Sequence, residues 1–294
     1  MDRTDFNAKW QAGATSALVT GASGAFGGAV AAALRRQGVH LLLSGQSELR
    51  LAETRARLEQ AVPGATRIDL LPADLGQHAG QQQLALALQQ QDIGILVHAA
   101  AVQGPIGPAW NNDPLKMRAA FEVNLFAAIA LCNAAAAAMP ARGGGKIICF
   151  SGGGATAPRA DFSAYASTKA ALVRYCECLA VETRDTGIDV NCIAPGAALT
   201  RMTREIFAAG AGVNAKERQA VETAAAGTED TLGRAADLCA FLASPRSHGI
   251  TGKLISAVWD PWPSLAEHID DLQAKDIYTL RRIVPADRGL TWGN

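Results

Sequence analysis

The chain has 294 residues, of which 49% are hydrophobic, so it is long enough to form one large domain or two small ones. Its 27 basic and 27 acidic residues cancel, and this neutral balance gives no electrostatic reason to expect nucleic acid or a membrane surface as a partner. The N-terminal segment MDRTDFNAKWQAGATS lacks the apolar core of a secretory signal, and six cysteines without a C-x-x-C pair favour neither a metal site nor a disulfide framework. These features predict a cytoplasmic protein with reduced thiols.

Apolar segments of strand length alternate along the chain with longer segments of helical pattern. The predicted strands, in chain order, are SALVTGA, HLLLSG, TRIDLLPADL, GILVHAAA, KIICFSG, IDVNCIAPG and GKLISAV. The helices between them begin with AFGGAVAAALRRQG, which Gly38 suits as an end, and continue with a second helix over 48–62. Strands that are apolar on both faces and are joined by helical crossovers predict a parallel sheet covered on both sides, with about seven strands and six helices.

The domain organisation follows from this pattern. We expect a single α/β domain over 16–258, preceded by an N-terminal arm (1–15) and followed by a tail (259–294) that lies outside the alternation. The longest apolar stretch, 125–139, is rich in alanine, is interrupted by Asn133 and is shorter than the ~20 residues of a membrane span. It is therefore predicted to be a buried helix.

A glycine-rich segment, TGASGAFGG, joins the first predicted strand to the first helix. Its glycines at Gly21, Gly24 and Gly27 can take backbone angles that are barred to other residues. The free N–H groups and the dipole at a helix start suit a pyrophosphate. The alternative is a tight strand–helix turn without a ligand.

A second signal is the run SGGGATAPRADFSAYASTKA, which places Tyr165 and Lys169 four residues apart at the start of a predicted helix. Side chains at this spacing share one helical face. A tyrosine titrates near ~10, and an ammonium beside it favours the phenolate, so the pair is suited to general acid/base chemistry. The same spacing also occurs in ordinary helices.

Together these landmarks resemble the short-chain dehydrogenase/reductase family over roughly residues 16–258. The matching segments are TGASGAFG at Thr20, Asp74-Leu, HAAA at His98, Asn124 in FEVNLFAA, Tyr165-Ala-Ser-Thr-Lys169, and Pro195-Gly196-Ala-Ala-Leu-Thr200. The resemblance implies a Rossmann-type doubly wound parallel sheet and hydride transfer between a nicotinamide cofactor and a small alcohol or carbonyl substrate. It also implies a homodimer or homotetramer.

The resemblance assigns catalytic roles to four residues. Tyr165 would be the general acid/base, Lys169 would lower its pKa and hold the nicotinamide ribose, and Asn124 would fix a water between Lys169 and solvent. The family's serine commonly lies about thirteen residues before the tyrosine, which is Gly152 here. Either the loop carries one extra residue and Ser151 serves, or the serine is absent; we favour Ser151.

The resemblance also implies a set of cofactor-binding residues. They are Thr20, Gly21, Ser23, Gly24, Phe26, Gly27, Gln46, Asp74, Ala99, Ala100, Tyr165, Lys169, Pro195, Gly196 and Thr200. The family's shorter branch has glycine where this chain has Ala25, a change that we expect the loop to tolerate. His98, at the start of HAAA, is expected to support the loop rather than do chemistry.

The choice between NAD and NADP depends on the end of the second strand, where NAD enzymes place an acid. Here the segment is Ser44-Gly45-Gln46-Ser47, without an acid and also without the family's frequent arginine. Gln46 and the two serines could bind a 2′-phosphate, and Arg50 could reach it, so we favour NADP. Asp74 is expected either to contact the adenine or to stabilise a turn.

Two segments and two rival functions stay open. Residues of about 200–230 are expected to form a lid over the substrate, or else a plain surface hairpin. In the tail, Trp259, Trp262, Arg281 and Arg282 either shape the substrate pocket or belong to a strap that docks on a neighbouring subunit, which we favour. The spacing of Gly21, Gly24 and Gly27 also fits a nucleotide-sugar dehydratase or epimerase. A chain that lacks the catalytic serine would be consistent with a non-catalytic cofactor-binding sensor.

Overall fold

A computed structural model of the chain describes residues 4–11, 13, 15–64, 66–208, 213–225 and 230–292. Within these residues seven parallel strands form one sheet in the order β3-β2-β1-β4-β5-β6-β7. The strands are β1 (Ser16–Thr20), β2 (His40–Leu43), β3 (Ile68–Leu70), β4 (Ile95–His98), β5 (Gly145–Phe150), β6 (Ile188–Ala194) and β7 (Lys253–Ser256). The predicted doubly wound α/β fold is confirmed, and its strand order reverses between β1 and β4, where such sheets bind ligands.

Helices cover both faces of this sheet. They are α1 (Thr4–Gln11), α2 (Ala25–Arg36), α3 (Glu48–Ala61), α4 (His78–Gln90), α5 (Pro114–Phe121), α6 (Ala127–Ala138), α7 (Ser163–Glu182), α8 (Arg201–Ala208), α9 (Ala215–Ala225), α10 (Thr231–Ala243) and α11 (Ile269–Ala274). Alternate strand residues face opposite layers: Val19 packs with α2, α3 and α10, whereas Leu18 packs with α4, α6 and α7. The two apolar layers explain why the strands are continuous hydrophobic runs.

Local sequence signals fix several helix ends. Asp113 and Asp230 accept backbone N–H groups at the starts of α5 and α10. Gly38 follows α2 with a φ of +80°, as its position in the sequence predicts. The third strand is much shorter than the predicted segment TRIDLLPADL, because only Ile68–Leu70 pairs with β2.

One helical run of the described chain, Pro114–Ala138, is long and apolar enough to cross a membrane by length and composition alone. Our expectation that this region is too short for a span is therefore wrong on length, because the helix begins well before residue 125. Half of its most apolar window is buried inside the protein, and a core helix passes the same test. Burial of Leu131 and Cys132 confirms a core-facing side of α6.

The C-terminal tail folds back on its own chain along the edge of the sheet. The backbone N–H of Leu254 in β7 donates to the carbonyl of Tyr278 at 2.8 Å, and the Lys253 ammonium donates to the carbonyls of Lys275 and Ile277 at 3.1 and 3.0 Å. Glu177 of α7 accepts the N–H of Leu280 at 2.6 Å. These bonds cover the edge strand, which otherwise presents unpaired backbone groups.

Two of the tail residues singled out from the sequence, Trp262 and Arg281, contact other residues of the chain. Trp262 packs against Phe241 of α10, with 6.0 Å between ring centroids. Arg281 forms ion pairs with Asp276 and Asp287, each at 2.7 Å. In the suggested lid, α8 and α9 are described, whereas residues 209–212 and 226–229 lie outside the described part of the chain.

Candidate active site

The loop between β1 and α2 makes contacts that are closer than a side chain would allow. Gly21 has a φ of +65°, and a Cβ built on it would lie 2.8 Å from the Cα of Ala100 and 3.0 Å from the carbonyl carbon of Ala99. A Cβ on Gly27 would lie 2.2 Å from the carbonyl oxygen of Gly21. Both positions therefore require glycine, which gives the loop the compact form of a phosphate cradle.

The start of α2 adds unpaired donors to this cradle. Its N-cap residue, Gly24, has no side chain to accept the first N–H groups, so the helix start and its dipole suit an anion. Ala25 is exposed, so its methyl group does not disturb the close loop contacts. The ring of Phe26 packs 5.9 Å from that of Phe150, which leaves only its backbone N–H for the loop. The cradle and the uncapped helix start fit a dinucleotide pyrophosphate.

Thr20 and His98 join the ends of β1 and β4 beneath the loop. The Thr20 hydroxyl lies 3.2 Å from His98 Nδ1 and accepts the N–H of Ala100 at 3.3 Å. Burial lowers the pKa of His98 to about 4, so its imidazole is neutral at pH 7. A neutral, buried ring bonded to the adjacent strand is suited to the supporting role expected for it.

At the end of β2, Gln46 and Asp74 contact each other. Gln46 donates its side-chain N–H to Asp74 Oδ1 at 2.8 Å, and the same oxygen accepts the N–H of Gly76 at 2.9 Å. Asp74 thus stabilises the turn after β3, which was one of its two expected roles. Its carboxylate also holds the side chain of Gln46 at the end of β2.

Arg50 links α3 to the phosphate loop, since its Nη2 donates to the carbonyl of Ser23 at 3.2 Å. The two serines considered for a 2′-phosphate are used differently: the Ser44 hydroxyl is buried, and Ser47 caps α3 by accepting the N–H of Arg50. The groove beside the loop is lined by Ser23, Arg50, Glu53, Ala56 and Arg57. Arg50 is thus the cation nearest to the loop among these groove residues.

Tyr165 and Lys169 lie one turn apart on the buried side of α7. The Lys169 ammonium is 5.7 Å from the centre of the Tyr165 ring and donates to the carbonyl of Phe150 at 2.7 Å. Burial lowers the pKa of Lys169 to about 8, so the ammonium stays protonated at pH 7. Burial also raises the pKa of Tyr165, and Arg159 opposes that shift. The expected lowering of the tyrosine pKa is therefore not found in the chain itself, because burial outweighs the opposing effect of Arg159.

Asn124 lies in a π-helical turn, Glu122–Phe126, between α5 and α6. Its side-chain amide accepts the N–H of Val102 at 2.8 Å and donates to the carbonyl of Val102 at 2.9 Å and to the Thr168 hydroxyl at 3.2 Å. The side chain therefore clamps the loop after β4 to α7. The π-turn itself is a feature often found at functional sites.

The residue against the tyrosine oxygen is Gly152. A Cβ built on Gly152 would lie 3.3 Å from Tyr165 Oη. The hydroxyl of Ser151 is buried and makes no hydrogen bond within the described residues. Gly152, which lies thirteen residues before Tyr165, is therefore also the residue beside the phenol. It occupies the place from which a serine would contact the phenol oxygen.

An arginine that the sequence analysis did not single out lies beside the tyrosine. The Arg159 guanidinium stacks 4.4 Å from the centre of the Phe162 ring and is 5.7 Å from the centre of the Tyr165 ring. It forms two hydrogen bonds, at 2.9 and 2.6 Å, with the carboxylate of Glu217 in α9. Because Glu217 is far away in sequence, only its place in the suggested lid could have pointed to this pair.

The loop after β6 leads from the sheet into α8. Gly196 has a φ of +85°, and a Cβ built on it would lie 2.6 Å from Val258, so the Pro195-Gly196 turn is tightly packed. Thr200 and Thr203 bond to each other at the start of α8: the N–H of Thr200 donates to the Thr203 hydroxyl at 2.7 Å. Thr200 is thus held at the sheet's carboxyl edge.

The structure therefore brings a phosphate loop, a buried Tyr–Lys pair and an arginine to the carboxyl edge of one parallel sheet. A model of the family described as "short chain dehydrogenase" matches residues 15–211. The chain belongs to the short-chain dehydrogenase family. Its relatives and structural neighbours include a dehydrogenase, an NADPH-dependent aldehyde reductase-like protein and a reductase complexed with NADPH.

Two curated relatives illustrate the similarity. The chain is 28% identical over 209 residues to 2,3-dihydro-2,3-dihydroxybenzoate dehydrogenase of Bacillus subtilis (strain 168), covering 70% of this chain and 78% of the relative. It is 29% identical over 257 residues to D-beta-hydroxybutyrate dehydrogenase of Cupriavidus necator, covering 83% of this chain and 95% of the relative. The short-chain dehydrogenase match thus extends over most of both chains.

Solved structures agree with the sequence relatives. L-sorbose reductase from Gluconobacter frateurii, complexed with NADPH and L-sorbose, has a TM-score of 0.70 at 25% identity and covers 82% of this chain and 94% of its own. A proposed gluconate 5-dehydrogenase from Beutenbergia cavernae, with NADP at low occupancy, has a TM-score of 0.73 at 26% identity. The match covers 83% of this chain and 94% of the gluconate dehydrogenase. This short-chain dehydrogenase therefore shares its fold with nicotinamide-dependent enzymes.

Proposed function

We propose that this short-chain dehydrogenase reduces a carbonyl substrate with NADPH and that Tyr165 donates the proton. The observation that carries the proposal is the buried Tyr165–Lys169 pair on α7. Burial raises the pKa of Tyr165, so the phenol is protonated at neutral pH and is ready to donate rather than accept a proton. This favours reduction near pH 7, and oxidation of the alcohol becomes easier as the pH rises.

Each residue of the pair has a definite role in the proposal. The nicotinamide, when bound, supplies the hydride. Tyr165 gives its proton to the developing alkoxide, and the phenolate left behind is stabilised by the ammonium of Lys169. The bond to the Phe150 carbonyl fixes that ammonium, so the charge is in place before the proton moves.

The names of the relatives support an alcohol/carbonyl reaction. A hydroxybutyrate dehydrogenase, a dihydrodiol dehydrogenase and a sorbose reductase are all named for chemistry at a C–OH or C=O carbon. The test is NADPH oxidation at pH 7 with a panel of ketones and aldehydes. Tyr165→Phe should lower kcat by about a hundredfold or more while NADPH still binds with near wild-type affinity. Wild-type turnover in Tyr165→Phe would refute the role of the phenol.

The cofactor preference is proposed from the end of β2. No acid follows that strand directly, and Arg50 lies against the phosphate loop, where it can pair with a 2′-phosphate. Arg50→Gln should weaken NADPH binding by about tenfold and leave NADH binding nearly unchanged. Equal losses for the two cofactors would assign Arg50 to the loop instead of to the phosphate.

We also propose a homo-oligomer in the cytoplasm. Exposed apolar side chains lie along neighbouring helices, including Leu115 of α5, Phe126 beside α6 and Val181 of α7. Exposed apolar side chains that lie together in a patch mark surfaces that are covered in an assembly. Sedimentation equilibrium should give the mass of a dimer or tetramer, and a monomer across micromolar concentrations would contradict this part of the proposal.

A further inference from the structure

The Arg159–Glu217 pair is a carboxylate-binding arrangement beside the catalytic tyrosine. Both guanidinium bonds go to the two oxygens of one carboxylate, at 2.9 and 2.6 Å. The side chains are only 20% and 14% exposed, so the pair is largely shielded from water. A two-point bond of this kind matches the planar fork of an arginine to the planar carboxylate.

Arg159 is positioned by its own loop and not only by Glu217. Its guanidinium lies 4.4 Å over the Phe162 ring, whose side chain is completely buried, and its Cδ lies close to Gly154. The same guanidinium is 5.7 Å from the centre of the Tyr165 ring. The fork is therefore held near the reacting phenol by residues that precede α7, and it would remain there if its carboxylate partner changed.

Glu217 comes from a different element, in the first turn of α9. Asn214 begins that helix by accepting the N–H of Glu217 at 3.1 Å, and it donates to Ala160 and Asp161 of the catalytic loop. The neighbouring Arg218 and Glu222 of α9 are exposed. Release of the Glu217 carboxylate from Arg159 therefore requires movement of the Glu217 side chain or of the first turn of α9, toward the exposed side of that helix.

We propose that Arg159 binds a carboxylate group of the substrate. In the absence of substrate, the carboxylate of Glu217 occupies the same two guanidinium N–H groups, and the substrate's carboxylate replaces it. This inference rests on the reductase function proposed above. A reacting carbonyl must contact Tyr165, so an acid group carried a few bonds away can reach Arg159. The enzyme would then select keto or hydroxy acids over neutral carbonyl compounds.

The charge balance supports an exchange between two carboxylates. Replacing Glu217 by a substrate acid keeps one negative charge on the shielded guanidinium, whereas removing Glu217 without a replacement leaves a poorly solvated cation unpaired. A neutral substrate cannot make the exchange. It would bind with the Arg159–Glu217 pair intact, and it would gain nothing from the arginine.

The test is a binding experiment that does not depend on turnover. Acetoacetate and its neutral methyl ester are titrated, by calorimetry, into protein saturated with NADP⁺, with which they cannot react. The variants are Glu217→Gln, which frees the fork, and the double variant Arg159→Gln/Glu217→Gln, which removes it. Glu222→Gln makes the same chemical change at an exposed site on α9 and is the matched control.

Glu217→Gln should bind acetoacetate at least tenfold more tightly than the double variant, and at least as tightly as wild type. Methyl acetoacetate should bind all four proteins within about twofold. Glu222→Gln should equal wild type for both compounds. If Glu217→Gln and the double variant bind acetoacetate equally, or if acetoacetate binds none of them, the proposal is overturned and the pair is a lid contact only.

A second variant guards against misfolding. Arg159→Lys in the Glu217→Gln background keeps the positive charge but loses the planar two-point geometry of the guanidinium. Its affinity for acetoacetate should fall between that of Glu217→Gln and that of Arg159→Gln/Glu217→Gln. Failure of the reductase proposal would look different. NADPH would not be oxidised by either compound, while the tenfold contrast in acetoacetate binding would remain.

Discussion

Lys169→Met should change the stability of the protein in a way that depends on pH. Burial lowers the pKa of Lys169 from 10.5 to about 8, so at pH 7.5 the folded chain holds an ammonium in a place that disfavours it. At about 1.36 kcal/mol per unit, burial of this lysine costs the folded state roughly 3 kcal/mol at pH 7.5, where it is mostly an ammonium, and about 1 kcal/mol at pH 10, where folding requires its deprotonation. The unfolded chain binds more protons at this site between pH 8 and 10.5, so wild-type stability rises with pH across that window.

Methionine removes this cost but also leaves the Phe150 carbonyl without its donor, a loss of about 1–3 kcal/mol that does not depend on pH. The two effects separate when the variant is compared with wild type at two pH values. Relative to wild type, Lys169→Met should lose about 2 kcal/mol of unfolding free energy between pH 7.5 and pH 10.

The assay is urea unfolding of both proteins at pH 7.5 and pH 10, followed by far-UV circular dichroism. Lys275→Met, which removes an exposed lysine in the tail, controls for the loss of one positive charge. Turnover should be abolished in Lys169→Met at either pH. A stability difference that is the same at both pH values would refute the reasoning, because it would mean that the buried ammonium carries no titration cost.

Three other predictions concern the loop, the glycine beside the phenol, and the tail. Gly27→Ala puts a Cβ 2.2 Å from a loop carbonyl and should weaken NADPH binding, measured by fluorescence titration, at least tenfold; the helical Gly28→Ala, with ordinary contacts, should leave it unchanged. Gly152→Ser should raise kcat by about tenfold by adding a donor at the developing charge, and Ser151→Ala should leave kcat within about twofold. A large loss in Ser151→Ala would return the serine role to that residue. Deleting 275–292 should expose the edge of β7 and cause concentration-dependent aggregation in light scattering, and a monodisperse truncated protein would contradict that role of the tail.

The sequence was sufficient for the sheet because each strand is a separate apolar run with its own turn signal. The segment KIICFSG, for example, forms the fully buried strand β5. The glycines that the loop requires, Gly21 and Gly27, can be recognised directly in the sequence. Both features are local. A local pattern can therefore be interpreted before any tertiary contact is known.

The parts that were not predicted depend on contacts between distant residues or on the backbone. Arg159 and Glu217 are 58 positions apart, and apart from the place of Glu217 in the suggested lid, nothing in the sequence around either residue indicates the other. The π-turn that carries Asn124 changes the helix by one hydrogen bond, which leaves the apolar pattern almost unchanged. The tail is held mainly through carbonyl groups, as at Tyr278, and carbonyl groups are common to every residue type.

The pKa of Tyr165 shows why an isolated pair of residues can mislead. The spacing to Lys169 was read as a cation lowering the pKa of a phenol, whereas burial raises it. Arg159 opposes the effect of burial, but the extent of burial is a property of the whole fold and outweighs it. A sequence reveals which groups are neighbours on a helix and not how much water surrounds them.

The central claim is that hydride reaches a substrate carbonyl in an enzyme whose proton comes from Tyr165. The most direct measurement uses NADPH deuterated at both C4 positions, acetoacetate and its methyl ester as the carbonyl compounds, and mass spectrometry of the product. We predict one deuterium on the carbinol carbon for each NADPH oxidised by wild type, and deuterated product that forms about a hundredfold more slowly, or slower still, with Tyr165→Phe. Turnover that leaves NADPH intact, or binding of NADPH without any transfer, would contradict the account and favour an epimerase or a cofactor-binding sensor.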